Sequence, residues 1–273
     1  MALRPPAARL TLSRFVATPS GQVVARVIVL AALLALWQFV PSPALRFWIS
    51  APVAIVVRLW SWLLDGSLWE NLEATLAAMA LGYAIGTGFG IGLGLLFGFL
   101  PRVHRVLSPY ISALYALPKI ALAPLFVILF GIGIESKVAL VAITVFFLVL
   151  TSTLDGVRNV DRDLVRALSL MGATRGEVIR KALVPAALPW IFTGMRIAVR
   201  YAFSNTLLAE LIASNRGIGY LISSAASAYD TAGVFAALIV LTILAMLLNA
   251  IVDEIDRRLS KWKVDASVSI RGT

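Results

Sequence analysis

Six polar side chains, Arg196, Arg200, Ser204, Asn205, Thr206 and Glu210, interrupt the otherwise apolar stretch GMRIAVRYAFSNTLLAELI. An ionisable group inside such a stretch is costly to bury and marks a candidate for handling an ion or solute. Arg196 and Arg200 lie four residues apart on one helical face. They can act as snorkelling anchors, pair with an acid such as Glu210 of a neighbouring chain, or attract an anion. Glu210 lies deeper along the helix and cannot meet Arg200 on the same face. Lys119 lies within a second apolar stretch, where its ammonium either faces a partner or cavity or snorkels to the headgroups. Tyr115, Lys119, Arg200, Asn205 and Glu210 are the candidate residues for contact with an ion or solute. The excess of internal positive charge favours an anionic solute.

Enzymatic chemistry has little to work with. The one histidine, His104, sits between Arg102 and Arg105 in a short polar loop and reads as a surface residue, so no Ser-His-Asp relay can be built. The absence of cysteine excludes disulfides, thiolate metal sites and Cys nucleophiles. No grouping of His, Asp and Glu suggests a metal site. Gly88 to Gly94 reads G-x-G-x-G-x-G, but no strand precedes it and it lies within an apolar span, which argues against a dinucleotide loop. The stretch GIGIESK at 131 to 137 lacks the glycine-lysine-hydroxyl ending of a phosphate loop. The expectation is a chain with no catalytic residue, cofactor or metal of its own.

These residues are set in a membrane protein by composition: 60% of residues are hydrophobic and 14% charged. Apolar runs near 23 to 40, 74 to 100, 107 to 134, 137 to 154, 191 to 213 and 232 to 252 can each cross a hydrocarbon core, which needs roughly 20 helical residues. The run Pro52 to Leu64 is short and carries Arg58, Trp60 and Trp62, which predicts an amphipathic helix in the interface. With the N-terminus inside, 17 basic residues fall on the cytoplasmic side and 4 outside, and Lys119, Arg196 and Arg200 within spans complete the total of 24. That asymmetry predicts six spans with both ends in the cytoplasm. The net charge of +10 is dispersed over several short loops rather than gathered on one face, so it reads as topology and not as nucleic-acid binding. The first apolar run is too long for a secretory signal and lacks an A-x-A site, so it is expected to stay as an uncleaved span.

Glycines at 82, 86, 90, 94 and 98 keep a spacing of four along the second span and let another helix approach closely. Packing within one subunit is the first expectation for that stripe; a subunit interface or a sliding helix is the second. The third span contains Pro109, Pro118 and Pro124 and should be irregular. Asp253, Glu254 and Asp256 alternate with Arg257 and Arg258 at helical spacings, which predicts solvated pairing along the last helix.

The loop between the fourth and fifth spans follows from local rules. Asp161 suits the N-cap of a helix from about Arg162 to Met171, and Gly172 suits its stop. Thr174 and Glu177 have capping-box spacing for a second helix, which Pro185 should limit. Leu164, Val165, Leu168, Leu170 and Met171 give the first helix an apolar surface beside Arg162 and Arg166. A solvated loop has little use for that surface, whereas a docking surface does.

The segment RALSLMGATRGEVIRKALVPAALP at 166 to 189 resembles the EAA loop of ATP-binding cassette (ABC) importer permeases. Gly172 and Ala173 match the glycine of that pattern and its neighbour, and VPAALP at 184 to 189 matches its end. The flanks LPKIALAPLFVILFGIG at 117 to 133 and GMRIAVRYAFSNTLLAELIASNRGIGYLI at 194 to 222 resemble the branch that handles nitrate, sulfonates, taurine and related compounds. The similarity runs from roughly residue 70 to 260. One departure stands out: where the pattern has Glu-Ala-Ala, this chain has Arg166, Ala167 and Leu168.

The resemblance implies an all-α membrane protein with about six transmembrane helices, a type I ABC importer transmembrane domain, plus a short interfacial helix. It divides the chain into residues 1–70, with a cytoplasmic tail, the first span and a periplasmic interfacial helix; a permease core, 71–260, with a coupling loop at about 158–189; and a cytoplasmic tail, 261–273. It implies that Val165, Arg166, Ala167, Leu168, Gly172, Ala173 and Glu177 couple the chain to an ATPase. The implied partners are two ABC ATPase subunits carrying ATP and Mg, a second copy of the permease as a homodimer, a periplasmic or lipid-anchored solute-binding protein and membrane lipid. The implied location is the bacterial inner membrane. A self-sufficient secondary carrier or channel is the rival class, and the chain lacks the evident inverted repeat that would favour it.

Overall fold

The computed structural model describes residues 19–259. The basic stretch Arg4 to Arg14 and the tail 261–273 lie outside the described residues. Among the described residues the regular elements are helices: α1 (Pro19–Phe39), α2 (Pro43–Ile49), α3 (Pro52–Leu64), α4 (Ser67–Phe99), α5 (Pro101–Ala116), α6 (Ala123–Phe130), α7 (Ile134–Arg158), α8 (Arg162–Leu170), α9 (Arg175–Val178), α10 (Val184–Ile212), α11 (Ile218–Ser227) and α12 (Thr231–Leu259). A 3₁₀ turn, Lys119–Leu122, precedes α6, and a π turn, Ile179–Leu183, joins α9 to α10.

Six stretches are long and apolar enough to cross a membrane: Gln22–Phe39, Ala44–Leu64, Ser67–Phe99, Ile134–Arg158, Arg175–Ile212 and Thr231–Arg258. Five of them coincide with expected spans. The other expected span, 107 to 134, is not one continuous helix: α5 ends at Ala116, and the chain bends by 81° before Lys119–Phe130. Pro118 is the cause, because proline disfavours helical geometry in the residue before it, and Leu117 is extended at φ −62°, ψ 136°. Pro109, by contrast, is accommodated inside α5. The short helix at Pro52–Leu64 has the expected bounds, but α2 precedes it across Ser50, at φ +57°. The combined 21 residues of Ala44–Leu64 are as long as a span, so length alone does not confine this segment to the interface.

α7 is the centre of the bundle, packed along its length against α4 on one side and α10 on the other. The glycine stripe makes the first contact possible. A Cβ at Gly82 would fall 2.6 Å from the Val141 Cβ, one at Gly90 2.9 Å from the Val149 Cβ, and one at Gly98 2.8 Å from the Val157 Cβ. Gly88 and Gly92, off the stripe, have nothing within 4 Å. The stripe therefore serves packing within one subunit. On the other side of α7, Gly194 seats Ser152, and Gly156 seats Ala187 and Trp190. The core between the three helices is Met79, Val141, Val145, Val149, Ala198 and Ala202.

A second cluster, Ile55, Trp62, Leu68, Ile218, Leu221, Ala236 and Ala237, fastens α3, α11 and α12 to the start of α4. α1 touches the rest through α3 and through Trp37, whose ring meets Phe235 edge-on at 5.7 Å.

Pro185 does not limit the helix that follows Glu177. α9, the π turn and α10 run on as one stretch, Arg175–Ile212. The π turn supplies the reason: the Val184 N–H reaches back to the Ile179 carbonyl, and the widened turn leads into Pro185 at the start of α10, where a missing N–H costs little. At about 1.5 Å per residue these 38 residues exceed a core of about 30 Å, so the helix is longer than a single crossing needs.

Candidate functional site

α8 buries none of its residues, and Leu170 and Met171 at its end are 89% and 83% exposed. Such exposure of large apolar side chains on a charged helix is what a docking surface looks like before its partner arrives. Its geometry is nonetheless closely held. The Asp161 carboxylate accepts from the Asp163 N–H at 2.8 Å and caps the N-terminus. At the other end Gly172 takes a φ of +81°, its N–H donates to the Ser169 carbonyl, and the Ala173 N–H donates to the Leu168 carbonyl. That pair of bonds is a Schellman stop, and its left-handed residue favours glycine. Helix bounds and both caps match the expectation from Asp161 and Gly172, with the last turn ending one residue earlier, at Leu170.

The next turn is fixed as tightly. Thr174 and Glu177 form the full capping box, the Glu177 carboxylate accepting from the Thr174 N–H at 2.8 Å. That amide, followed by the Lys181 ammonium at 3.1 Å, holds the Glu177 carboxyl down to about 2. Arg175 donates to the Phe99 carbonyl at the end of α4, at 2.9 Å. The α8 to α9 corner is thereby tied to the second long span, a link the sequence reading missed because nothing local marks it. Arg166 pairs with Asp163 at 3.2 Å on an exposed face, a contact of little energetic weight that leaves its guanidinium accessible. Val165 and Leu168 are half-buried, whereas Ala167 and Ala173 differ, the first exposed and the second half-buried.

The expected pathway residues do not form one cluster. Lys119 sits at the 81° break, its ammonium 4.5 Å from the Tyr115 ring centre and 5.3 Å from that of Phe147, and bonded to the Tyr115 carbonyl. Arg200 donates through Nε to the Asn249 side chain at 3.1 Å, and Arg196 pairs with Asp256, so both arginines join α10 to α12. The expected pairing along the last helix holds for Glu254 with Arg257 and Arg258, while Asp256 turns to α10 instead. Asn205 is buried and donates to the Tyr201 carbonyl at 2.8 Å.

Glu210 is 1% exposed and faces the interior of the subunit. Its carboxylate accepts from Thr75 Oγ1 at 2.9 Å and from the Gly219 N–H at 2.9 Å. Thr75 accepts from the Ile218 N–H, Asn71 accepts from the Gly217 N–H at 2.7 Å, and Lys137 donates to the Arg216 carbonyl at 2.8 Å. These four side chains pin the turn between α10 and α11 to α4 and α7. Gly217, at φ +122°, lies where a Cβ would overlap the Glu210 carboxylate. Sequence reading singled out Glu210 but not Asn71, Thr75 or Lys137, since the first two are ordinary polar residues and Lys137 reads as a flanking base.

A bundle of apolar helices long enough to cross a membrane, with one exposed helix held at its end, defines a multi-pass membrane protein. The chain belongs to the family of binding-protein-dependent transport system inner membrane components, whose model matches residues 86–261. It is 35% identical to the taurine transport system permease protein TauC of Escherichia coli (strain K12), covering 89% of this chain and 91% of that one. It is 32% identical to the putative aliphatic sulfonates transport permease protein SsuC of Bacillus subtilis (strain 168), covering 85% of each. Identity to the riboflavin transport system permease protein RibX of Chloroflexus aurantiacus (strain ATCC 29366 / DSM 635 / J-10-fl) is 34%, over 86% of this chain and 89% of that one. Among solved structures, an inward-facing MetNI methionine ABC transporter matches with a TM-score of 0.57 at 23% identity, over 72% of this chain and 96% of that chain. That likeness places the fold among type I ABC importer transmembrane domains.

Proposed function

We propose that this chain is the permease subunit of an ATP-driven importer for a small anionic solute of the sulfonate class. In this reading two copies of the chain form the pathway in the bacterial inner membrane, with both termini in the cytoplasm. A binding protein, periplasmic or lipid-anchored, delivers the solute. The residues 71–260 make up the permease core, and α8 docks on a separate ATPase subunit that binds ATP and Mg. The observation that carries the reading is α8 itself: Leu170 and Met171 stand in solvent on a corner fixed by two caps and by the Arg175 bond to Phe99. A helix so held can pass a push from an ATPase into α7, which ends three residues before it, and into the continuous Arg175–Ile212 helix. Val165, Arg166, Ala167, Leu168, Gly172, Ala173 and Glu177 are the coupling residues of this proposal. The solute class follows from the taurine and aliphatic sulfonate relatives together with Lys119 and Arg200 as positive groups within spans.

The test is reconstitution with the ATPase and binding protein made alongside this chain. ATP-dependent uptake of a sulfonate that disappears when the ATPase is omitted is expected. Uptake by this chain alone, driven by an ion gradient, would overturn the proposal in favour of a secondary carrier. Arg200→Gln and Lys119→Gln test the anion preference: unchanged transport in an assembled complex removes those residues from the pathway.

A further inference from the structure

Beneath α8 lies a cavity of about 620 Å³ between the ends of α4, α5 and α7. Arg105, Ser108 and Ser112 reach it from one face of α5, Arg158 from the last turn of α7 and Arg162 from the first turn of α8. Among the described residues, Arg105, Arg158 and Arg162 have no ion pair and no side-chain hydrogen bond. Arg102 and Arg180 at this end of the bundle are likewise without such a partner, whereas Arg166 meets Asp163, Arg175 meets Phe99, Arg196 meets Asp256, and both Arg257 and Arg258 meet Glu254; what distinguishes Arg105, Arg158 and Arg162 is that they line one recess together. The cavity also holds one carboxylate, Asp155, and His104, so three guanidiniums face a single acid. All three arginines are exposed at this recess, so solvent screens their mutual repulsion, but an anion entering it would meet three cationic groups against one acid. Guanidinium forks and hydroxyls are also the donors that match a tetrahedral oxoanion.

We propose that this cavity binds an oxoanion, either a lipid phosphate headgroup or a free anion such as sulfate or phosphate. The inference does not depend on which solute the chain carries. An anion held by Arg105, Arg158 and Arg162 would bridge α5, α7 and α8, so its occupancy would set how firmly the exposed corner is joined to the spans. Arg158 and Arg162 also line a second cavity of about 530 Å³ on the α9 side, which places the anion directly under that corner.

The full chain in phosphatidylcholine nanodiscs, titrated with sodium sulfate at constant ionic strength, tests the free-anion source. Native mass spectrometry of the chain recovered from nanodiscs containing phosphatidylglycerol tests the lipid source. Saturable sulfate binding or a retained phosphatidylglycerol adduct is expected. Arg105→Gln and Arg158→Gln should each weaken whichever is seen by about tenfold, the loss of a charged hydrogen bond. Arg105→Lys, which keeps the charge, should retain most of it, and Arg257→Gln, outside the cavity, should retain all of it. Sulfate binding assigns a free oxoanion; an adduct without sulfate binding assigns a headgroup. If neither probe binds, or if both glutamine variants match the parent, the site does not exist.

Discussion

Gly172 shows how much a single backbone angle can carry. At φ +81° an L side chain costs about 1–2 kcal/mol, more for a β-branched one, although nothing lies within 4 Å of where its Cβ would be. Gly172→Val is therefore expected to leave the spans assembled while misplacing Leu170 and Met171. ATP-coupled transport should fall steeply with little change in the amount of protein recovered from membranes, and unchanged transport would remove this stop from the coupling device. Glu177 adds a pH dependence. Its folded-state value, about 2, lies below the ordinary 4.5, so its contribution is complete above pH 4.5 and is lost as the pH falls toward 2. Hydrogen exchange at the Thr174 amide, corrected for intrinsic rates, should show protection declining over that window. In Glu177→Gln, which keeps an acceptor but does not titrate there, protection should stay flat. Glu210 behaves differently because it is buried. Glu210→Ala leaves the Gly219 N–H and the Thr75 hydroxyl without their acceptor, at about 1–3 kcal/mol for each orphaned group. A clear drop in the thermal unfolding midpoint is expected, and no drop would mean that the α10 to α11 turn is held by other means.

Helices that meet through glycine are sensitive to one methyl group. A Cβ at Gly86 would fall 2.5 Å from the Ala142 carbonyl oxygen, a backbone atom that cannot rotate away, whereas Gly88 faces open space. Gly86→Ala should cost about 1–3 kcal/mol through overpacking, and Gly88→Ala should be neutral or slightly stabilising. Thermal unfolding of the pair in one detergent decides the matter; equal effects would mean that α4 and α7 are less closely joined. At this scale the sequence is most legible where the rule is local. Spacing of four announced the stripe, and Asp161, Gly172, Thr174 and Glu177 announced both caps. It is least legible where the answer depends on distant chain. The partners of Arg175, Arg196, Arg200 and Lys137 come from other helices, and no local pattern encodes them. Proline shows both outcomes: Pro118 gives the expected irregularity as an 81° bend, whereas Pro185, expected to limit a helix, follows a π turn and continues it.

Across the whole molecule the chain divides its work between two ends of one bundle. At one end a buried knot of Glu210, Thr75, Asn71 and Lys137 fixes a turn; at the other an exposed helix stands on a rigid corner above unpaired arginines. The candidate spans run between these two ends. That division suits the proposed function, in which a separate ATPase subunit drives the chain from one side. The absence of cysteine makes the docking claim directly accessible. In the assembled complex, Met171→Cys, on α8, and Tyr229→Cys, between α11 and α12 and 72% exposed, supply two reporters at opposite ends. Cross-linking with a short bifunctional thiol-to-amine reagent should join Met171→Cys to the ATPase subunit, with a yield that changes when ATP is added, while Tyr229→Cys yields no ATPase adduct. An ATPase adduct absent from Met171→Cys, in a complex that still transports, would contradict α8 as the coupling helix.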